Sequence, residues 1–383
     1  MINNRKINIG IIAGEISGDI LGARLIKNFK KKNPNIHFIG IAGPLMKKEG
    51  CKALYGIEIL SIIGIIEILK YLPKLILIRK NIIKQFIKNK IDIFIGIDSP
   101  DFNLNIEMQL KSKGIKTIHY ISPSIWAWRK KRIIKIKKAT DLILVFLPFE
   151  KKIYDEFNIP CCFIGHTMAD KIPLIPNKQK TRLRLNIPEK AKCLAILPGS
   201  RYSEIKKLSN IFLKTAKILK KYFKDLYIIV PTANEKCRQQ FELIKQKNFP
   251  DVFITILNGQ SIDAMISADV TLLASGTASL ECMLAKCPMV VCYKMNFFTF
   301  LFAKILIKTP YISLPNLLAK KEIIKEFLQK ECQPNKLSNQ LIQLLNNEKY
   351  CKILKKNFLK LHKTIRHNAD EKAVNEILKL IKI

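Results

Sequence analysis

Two short segments in the second half of the chain carry residue types that can hold a phosphate. Residues 197–201 (LPGSR) and 274–277 (ASGT) each follow an apolar run and precede a helical pattern. Backbone N–H groups at such a strand-to-helix junction can bind an anion without a metal. Arg201 adds a guanidinium whose fork matches phosphate oxygens. We therefore predict a sugar-nucleotide site that includes Gly199, Ser200, Arg201, Ser275, Gly276 and Thr277.

The first of these segments is weak evidence by itself, because a Gly-Ser-Arg turn with a solvated arginine is common on protein surfaces. The second segment strengthens the prediction. Ser275 or Thr277 can cap the helix that follows, which leaves N–H groups free for an anion. Glu281 lies about one turn further on, where its carboxylate can accept hydrogen bonds from the two hydroxyls of a ribose. Its alternative role, as a capping-box partner, requires an earlier position in the helix.

A carboxylate in the first half could serve as a general base. Asp98 follows the apolar run 91–97, and so lies at the carboxyl end of a predicted strand, where open α/β sheets bind ligands. A transferase that activates a hydroxyl acceptor needs one such base. Asp98 is our candidate, and Asp101 in the same loop is the alternative. Asn103 is predicted to cap the helix that follows.

Short apolar runs alternate with longer amphipathic ones along the chain, which is typical of parallel strands joined by helices. The pattern predicts an α/β protein of two Rossmann-like, doubly wound domains facing across a cleft, with a helical C-terminal tail. We place the domains at 1–168 and 193–345, a linker rich in proline at 169–192, and C-terminal helices at 346–383 that cross back to the first domain. The predicted strands are 7–13, 36–41, 91–97, 117–121, 142–146, 193–197, 226–230, 253–256, 270–273 and 289–292.

Composition limits the class of protein. The 383 residues carry a formal net charge of +37, yet lysines spread along the whole chain supply most of it and no arginine–aromatic clusters accompany them. We therefore expect solvated helix faces, and no nucleic-acid partner. The ten cysteines form no Cys-x-x-Cys pair, which predicts reduced core residues and no metal site. No apolar run reaches the length of a membrane span, and none resembles a signal peptide.

Several longer motifs make the chain similar to one enzyme family. These are residues 13–19 (AGEISGD), 97–103 (IDSPDFN), 122–129 (SPSIWAWR), 148–150 (PFE), 163–167 (FIGHT), 197–201, 274–277 with Glu281, and 313–318 (SLPNLL). They resemble the lipid-A-disaccharide synthase family, whose members are inverting, metal-independent glycosyltransferases. The resemblance implies transfer of 2,3-diacylglucosamine from UDP to 2,3-diacylglucosamine 1-phosphate, giving a β(1→6) disaccharide and UDP. It implies no cofactor, and it adds Asn316 to the donor site.

The resemblance also directs attention to the first domain. We expect Glu15, Ser17, Asp101, Asn103 and His166 near the acceptor or along the cleft wall. The first glycine-rich loop does not fit the spacing of a dinucleotide fingerprint. Departures from the family pattern, such as Tyr202, fall between the motifs.

An apolar segment at 62–78, followed by Arg79 and Lys80, suits contact with a membrane surface. Ile65, Ile66, Leu69 and Leu72 are the predicted membrane-facing residues, and 297–302 (FFTFLF) is a second candidate. Burial in the protein core is the alternative for both. We expect a cytoplasmic protein attached peripherally to the inner membrane, with a homodimer through the C-terminal helices as an open question.

Two other classes of function compete with this interpretation. One is an epimerase, or another UDP-sugar transferase, of similar fold that acts on a water-soluble substrate. The other is a binder of nucleic acid or lipid surfaces driven by the charge of +37, for which binding should weaken steeply with salt. Neither accounts for two phosphate loops together with Asp98.

Overall fold

A computed structural model describes residues 6–60, 65–123, 132–295 and 309–381; for residues 65–71 it describes the backbone only. The chain forms two compact units. The first comprises Met1–Thr167 and Ile365–Ile383, and the second comprises Met168–Thr364.

The first unit contains a parallel sheet of seven strands in the order β3-β2-β1-β4-β5-β6-β7. The strands are β1 (Ile7–Ala13), β2 (Ile36–Ile41), β3 (Cys51–Tyr55), β4 (Ile93–Ile97), β5 (Lys116–Tyr120), β6 (Leu142–Val145) and β7 (Cys161–Phe163). The helices are α1 (Ile16–Lys32), α2 (Pro44–Lys48), α3 (Ile65–Lys88), α4 (Pro100–Lys111), α5 (Arg132–Ala139) and α6 (Pro148–Glu156), with a 3-10 turn at Ile57–Ile59.

The central strands of this sheet are continuous runs of isoleucine and other apolar residues. Every residue of β4 is buried, and so are all but one of β1. Parallel strands joined by helices are covered on both faces, so they need apolar residues at consecutive positions rather than at alternate ones. The strand order changes direction between β1 and β4, and this switch point is where open α/β sheets bind ligands.

The second unit repeats this plan with six parallel strands in the order β10-β9-β8-β11-β12-β13. The strands are β8 (Cys193–Leu197), β9 (Tyr227–Thr232), β10 (Thr255–Asn258), β11 (Val270–Ala274), β12 (Met289–Tyr293) and β13 (Glu326–Leu328). The helices are α7 (Thr167–Lys171), α8 (Lys178–Arg184), α9 (Tyr202–Tyr222), α10 (Glu235–Asn248), α11 (Ser261–Ser267), α12 (Thr277–Leu284), α13 (Leu314–Ala319), α14 (Pro334–Asn346) and α15 (Glu348–Ile365), with a 3-10 turn at Gln329–Glu331. Its switch point lies between β8 and β11.

The prediction of two doubly wound α/β units is confirmed, and each of the ten predicted strands lies within two residues of an observed one. Three strands were not predicted: β3, β7 and β13. All three lie at sheet edges, and most of their residues are only partly buried. Short, half-exposed strands lack the apolar run on which the prediction depends.

Residues 169–192, predicted as a linker, instead fold with the second unit. The proline-rich segment contains α8, from which the buried guanidinium of Arg182 reaches Asp269 at 2.9 Å and the backbone carbonyls of Ser267 and Ala191. A buried arginine with these partners fixes the segment, because separating it from Asp269 would leave a buried charge without its counter-ion.

The C-terminal tail divides between the two units. Helices α14 and α15 belong to the second unit, and the last helix, α16 (Ala369–Leu380), belongs to the first. There the guanidinium of Arg24 in α1 pairs with Asp370 of α16, with Nε to Oδ2 at 2.8 Å. Among the described residues, no helix is both long enough and apolar enough to cross a bilayer.

Candidate functional site

The switch point of the first unit brings together two acidic side chains. Ala13 and Ile97, the last residues of β1 and β4, are directly paired in the sheet, so the turns that begin with Gly14 and Asp98 leave it side by side. A Cβ on Gly14 would lie 1.8 Å from the hydroxyl oxygen of Ser99. The absence of a side chain at Gly14 therefore permits the two turns to touch.

Asp98 occupies a constrained position at this junction. Its φ is +49°, and that of Ser99 is +44°, so both lie in the left-handed region that few non-glycine residues adopt. Burial raises the pKa of the Asp98 carboxyl. Glu15 raises this pKa further through its charge and a hydrogen bond, whereas His119 and the Ser99 backbone N–H lower it. A carboxylate with a raised pKa takes up a proton more readily near neutral pH, which suits a general base.

The alternative base, Asp101, has different surroundings. Its side chain is 80% exposed in the first turn of α4 and forms an ion pair with Arg132. Of the two candidate bases, therefore, only Asp98 is largely buried and also close to a second carboxylate, that of Glu15. These surroundings favour Asp98 as the base.

Glu15, Ser17 and Asn103, predicted near the acceptor, all lie at this switch point. The Ser17 hydroxyl donates to Glu15 Oε1 at 2.8 Å. Asn103, however, does not cap α4, since Ser99 holds the N-cap position and Asn103 lies inside the helix. Its Nδ2 instead donates to the carbonyl of Asp98 at 2.8 Å, so the Asn103 side chain fixes the backbone of the loop that carries Asp98.

His166 lies elsewhere in the first unit. Its ring packs against Phe146, with centroids 4.9 Å apart, and its backbone N–H donates to the carbonyl of Ile365 at 2.7 Å. Burial, helped by the charge of Arg24, lowers its pKa to about 4. The ring therefore stays neutral at physiological pH. No described contact joins His166 to Asp98.

The switch point of the second unit presents the two predicted phosphate loops. Leu197 of β8 and Leu273 of β11 are directly paired, so the loops that follow them leave adjacent strands. Gly199 has a φ of +128°, and a Cβ there would lie 2.4 Å from the side chain of Glu204. Glycine at this position lets the loop close over the first turn of α9.

The backbone N–H groups after Gly199 are not free, contrary to the simplest form of the prediction. Glu204 Oε2 accepts from the N–H of Ser200 at 2.9 Å and from that of Arg201 at 3.3 Å. This is the reciprocal half of a capping box, in which the third residue of a helix reaches back to its start. The loop therefore already orients its amides toward an anion, and that anion is a carboxylate of the chain itself.

The guanidinium of Arg201 remains available. The side chain is 81% exposed, and Nη1 lies 3.9 Å from Glu204 Oε1. An exposed ion pair at this distance is worth little, so an incoming phosphate can replace it. Burial raises the pKa of Tyr293 at the end of β12, and the charge of Arg201 partly offsets this rise.

The second loop differs from the prediction in how its helix is capped. Gly276 holds the N-cap position of α12, and neither Ser275 nor Thr277 caps the helix. In the first turn of α12, the N–H of Ser279 donates to the Gly276 carbonyl at 3.2 Å, whereas the N–H groups of Thr277 and Ala278 have no acceptor among the described residues. Gly276 and Thr277 are exposed, and no atom lies within 4 Å of the place where a Cβ on Gly276 would be. This loop is open to an anion.

Glu281 lies in the second turn of α12. Burial raises the pKa of its carboxyl, and the charge of Lys171 partly offsets this. Within the described part of the chain, no hydrogen bond to the Glu281 carboxylate oxygens is found. A mostly buried carboxylate with unused acceptors suits a ligand that brings two hydroxyl donors.

Asn316, predicted to contact the donor, has a structural role instead. Its side chain is fully buried. Nδ2 donates to Ile324 O at 2.9 Å and to Glu326 Oε1 at 2.7 Å, while Oδ1 accepts the N–H groups of Ile323 and Ile324. These four bonds use the whole capacity of the amide. The prediction of a direct donor contact by Asn316 is therefore wrong for this structure.

Two residues that organise the motifs were not singled out from the sequence. The buried carboxylate of Asp19 accepts the N–H groups of Gly43, Leu45 and Met46, and so caps α2. Glu150 caps α6 by accepting the N–H of Leu147 at 3.0 Å. Its position in the sequence was the available signal, since Glu150 follows Leu147 by three residues, the spacing of a capping box, and Pro148 is typical of the first position of a helix.

A buried pair, Glu107 and His119, was also missed as a functional candidate. Neither residue was predicted as a site residue from the sequence. The sequence feature that could have pointed to the pair is Glu107 itself, a carboxylate on the apolar face of α4 four residues after Asn103. In the described ranges, no group of three or more histidine, cysteine or acidic side chains could hold a metal.

Part of the predicted membrane segment can be assessed. Leu72 is 43% exposed, and Ile76 and Leu77 beside it are also exposed, whereas Ile78 and Phe86 further along α3 are buried. The side chains of Ile65, Ile66 and Leu69 lie outside the described residues, as do residues 297–302 and the two tryptophans at 126 and 128.

Comparison with known proteins identifies close relatives. The family model described as Lipid-A-disaccharide synthetase matches residues 9–377. The chain is 54% identical to the lipid-A-disaccharide synthase of Escherichia coli O8 over 380 residues, covering 99% of this chain and 100% of that protein. It is also 54% identical to the protein of the same name from Yersinia pseudotuberculosis, over 376 residues, covering 98% and 95%.

Solved structures share the fold at much lower identity. A UDP-GlcNAc 2-epimerase from Neisseria meningitidis, bound to UDP-GlcNAc, superposes with a TM-score of 0.66 and 16% identity, covering 97% of this chain and 100% of that one. The calicheamicin glycosyltransferase CalG4 gives 0.64 and 10%, with 99% of each chain covered. At such identities the likeness shows the fold alone.

Proposed function

Because this chain belongs to the lipid-A-disaccharide synthetase family, we propose that it transfers 2,3-diacylglucosamine from its UDP derivative to 2,3-diacylglucosamine 1-phosphate. The products are the β(1→6)-linked disaccharide 1-phosphate and UDP. The observation that supports this best is the identity of 54% over the full length, and the hydrogen-bonded Glu15–Asp98 pair at the switch point of the first unit agrees with it.

In this proposal, Asp98 is the base. Its carboxylate accepts the proton of the acceptor's 6-hydroxyl as that oxygen forms a bond to C1 of the donor sugar. The C1–O bond to UDP breaks on the opposite face, and the configuration at C1 inverts. Glu15 raises the pKa of Asp98 and so strengthens it as a base.

The second unit has the task of holding UDP as negative charge develops on it. We assign the diphosphate to the loops after β8 and β11, with the Arg201 guanidinium and the first-turn N–H groups of α12 as fixed donors. Glu281 is assigned to the ribose hydroxyls. These donors carry out stabilisation that many transferases assign to a metal ion, and we propose that the reaction needs none.

The alternative function is that of an epimerase or another UDP-sugar transferase. The reason to consider it is that the fold is similar to that of a UDP-GlcNAc 2-epimerase. That likeness rests on 16% identity. The relatives at 54% identity are lipid-A-disaccharide synthases, and this difference favours the disaccharide-forming reaction.

The decisive assay incubates the purified full-length chain with UDP-2,3-diacylglucosamine and 2,3-diacylglucosamine 1-phosphate, in excess EDTA, and follows UDP and disaccharide by mass spectrometry. We expect both products, in equal amounts, and only when the acceptor is present. UDP released without acceptor, or an epimerised UDP-sugar, would support the alternative. A requirement for Mg²⁺ would contradict the role given to the fixed donors.

We further propose that the exposed apolar side chains of α3 attach the protein to the cytoplasmic face of the inner membrane, where both lipid substrates reside. Leu72, Ile76 and Leu77 are exposed, with Lys74 and Lys80 among them. Apolar residues beside cationic ones suit an anionic lipid surface.

The test replaces Leu72, Ile76 and Leu77 with serine and measures sedimentation with vesicles containing phosphatidylglycerol. We expect weaker binding. A matched control replaces Leu183 and Leu243, which are also exposed, and should bind as the unaltered protein does. Equal loss in both variants would mean that binding depends on general hydrophobicity or charge. The homodimer through the C-terminal helices stays a prediction, for which analytical ultracentrifugation is the direct test.

A further inference from the structure

Two ionisable side chains are fully buried beneath the loop that carries Asp98. His119 Nδ1 of β5 lies 2.7 Å from Glu107 Oε1 of α4, and both side chains are 0% exposed. His119 is paired in the sheet with Gly96 of β4, two residues before Asp98. A Cβ on Gly96 would lie 2.3 Å from Glu107 Oε1. The glycine therefore leaves the space that the Glu107 carboxylate fills.

The hydrogen bonding of this pair is incomplete. Glu107 Oε2 and His119 Nε2 are both buried, and neither has a hydrogen-bond partner among the described residues. Burying two ionisable side chains with unsatisfied polar atoms is unfavourable, and an apolar pair of similar volume would avoid that desolvation cost. The pair therefore needs an explanation other than packing.

The face of α4 that carries Glu107 also holds the loop of Asp98. Asn103 lies one turn before Glu107, and its Nδ2 donates to the carbonyls of Asp98 at 2.8 Å and Ile97 at 3.3 Å. A Cβ on Gly96 would also lie 2.9 Å from Cβ of Asn103, so the two side chains pack side by side over this glycine. The same face of α4 therefore fixes both the conformation of the Asp98 loop and the position of the Glu107–His119 pair.

We propose that Glu107 and His119 form a positioning pair for Asp98: Glu107 holds the His119 ring beside Gly96, and His119, fixed there, acts on the Asp98 carboxyl, two residues after Gly96, and keeps it ready to accept a proton. The inference rests on the proposed function, since it gives the pair a role in the step assigned to Asp98. No bond is made or broken at the pair itself, and it touches no substrate.

The charged groups around Asp98 act in opposite directions. Glu15, from the turn after β1, raises the pKa of Asp98, and His119, from β5, lowers it. Burial raises the pKa of Glu107, and His119 and, more weakly, Lys135 of α5 oppose this rise.

The outer charges of this region act on Lys135. Asp101 and Glu107 raise its pKa, and Arg79 of α3 and Arg132 of α5 lower it, while burial is the main cause that lowers it. Glu15 and His119 are the two groups whose removal should move the titration of Asp98 in opposite directions.

The experiment measures kcat/KM against pH for the full-length chain and three variants: His119→Asn, Glu107→Gln and Glu15→Gln. His119→Asn keeps a donor near the position of Nδ1 without a charge, and Glu107→Gln keeps the shape of the side chain. We expect the acid limb to move to higher pH in both, by about half a unit to one unit, so that kcat/KM at pH 6 falls about 3- to 10-fold relative to its value at pH 8.5. The KM for the UDP-sugar should not change.

Glu15→Gln should move the acid limb to lower pH, because it removes a negative charge beside Asp98. An unchanged acid limb in Glu107→Gln and His119→Asn, with only a lower Tm, would overturn the proposal and leave the pair a purely structural role. If His119→Asn does not fold, the opposite shifts of Glu107→Gln and Glu15→Gln still decide the question.

A direct titration keeps this inference separate from the proposed function. The ¹³C carboxyl signal of Asp98, assigned by its loss in Asp98→Asn, should titrate at higher pH in Glu107→Gln than in the unaltered chain, whether or not disaccharide forms. Absence of disaccharide with a shifted signal would refute the proposed function alone. An unshifted signal with normal turnover would refute the pair alone.

Discussion

The two switch points have the same backbone plan and opposite chemistry. In each unit, the first strand lies between the second strand and the one after the switch, and two turns leave paired residues of adjacent strands. The turns of the first unit bring Glu15 and Asp98 together. Those of the second unit present Arg201 and two glycine-bearing loops. One topology thus presents two carboxylates in one unit and an arginine with glycine-bearing loops in the other, and we propose a proton acceptor for the first and an anion site for the second.

The two units also use a glutamate near the switch point in different ways. Glu15 raises the pKa of a neighbouring acid, whereas Glu204 accepts two backbone N–H groups and so holds a loop in the shape an anion needs. The sheet supplies the location, and the few residues immediately after each strand decide the chemistry.

The strongest test of this division is Asp98→Asn. A general base contributes about 10²–10⁴-fold to a rate, so we expect kcat to fall by that factor while the KM for the UDP-sugar stays within a few-fold. The matched control is Asp101→Asn in the same loop, whose side chain is exposed and paired with Arg132. A larger loss in Asp101→Asn than in Asp98→Asn would transfer the role of base to Asp101.

The next largest effect should come from Arg201→Ala in the second unit. Removing one fixed donor to developing charge costs on the order of 10²–10³ in kcat. Arg238→Ala is a suitable control, since Arg238 also pairs with a glutamate on its own helix and belongs to the same unit. Steady-state kinetics of the two variants make the comparison. Equal effects would indicate that overall positive charge, rather than a specific contact, binds the donor.

Glu281→Gln should have a smaller effect, confined to nucleotide binding. The amide keeps one acceptor but loses the charge, and hydrogen bonds to charged groups are worth roughly 1.5–3 kcal/mol. Calorimetry should therefore show UDP binding weakened by about tenfold or more, with the pH profile of kcat unaltered. Unchanged affinity for UDP would remove Glu281 from the ribose site.

Asn316→Ala should affect stability and leave donor binding nearly untouched. The change strands two buried N–H groups, of Ile323 and Ile324, and each such group costs about 1–3 kcal/mol. Urea unfolding should show that loss, whereas UDP affinity at a temperature where the variant is folded should stay within about twofold. A tenfold loss of affinity would restore Asn316 to the donor site.

The sequence was a good guide wherever a feature depended on a continuous local pattern. The buried central strands were predicted because runs of isoleucine and valine need both faces covered. The turn residues Gly14, Asp98, Gly199 and Gly276 were located because they follow those strands directly. Both switch points could therefore be predicted from position along the chain.

Features that depend on contacts between distant residues could not be predicted in the same way. Asn316 has the amide of a ligand-binding residue, but its four partners lie seven to ten residues further on and use it fully. The pairing of Glu107 with His119 depends on the space over Gly96, which no periodicity reveals. Residues 169–192 were assigned to a linker because they are rich in proline, and nothing in that pattern indicates that Arg182 is buried.

The contact between Gly14 and Ser99 has a consequence for how this chain can vary. With a Cβ at residue 14 only 1.8 Å from the Ser99 oxygen, even an alanine would force the two turns apart. The separation of Glu15 from Asp98 is therefore controlled by a residue that has no side chain and takes no part in the reaction. Substitutions that leave both acids in place can still uncouple them, so that keeping the two carboxylates is not by itself enough to keep their mutual influence.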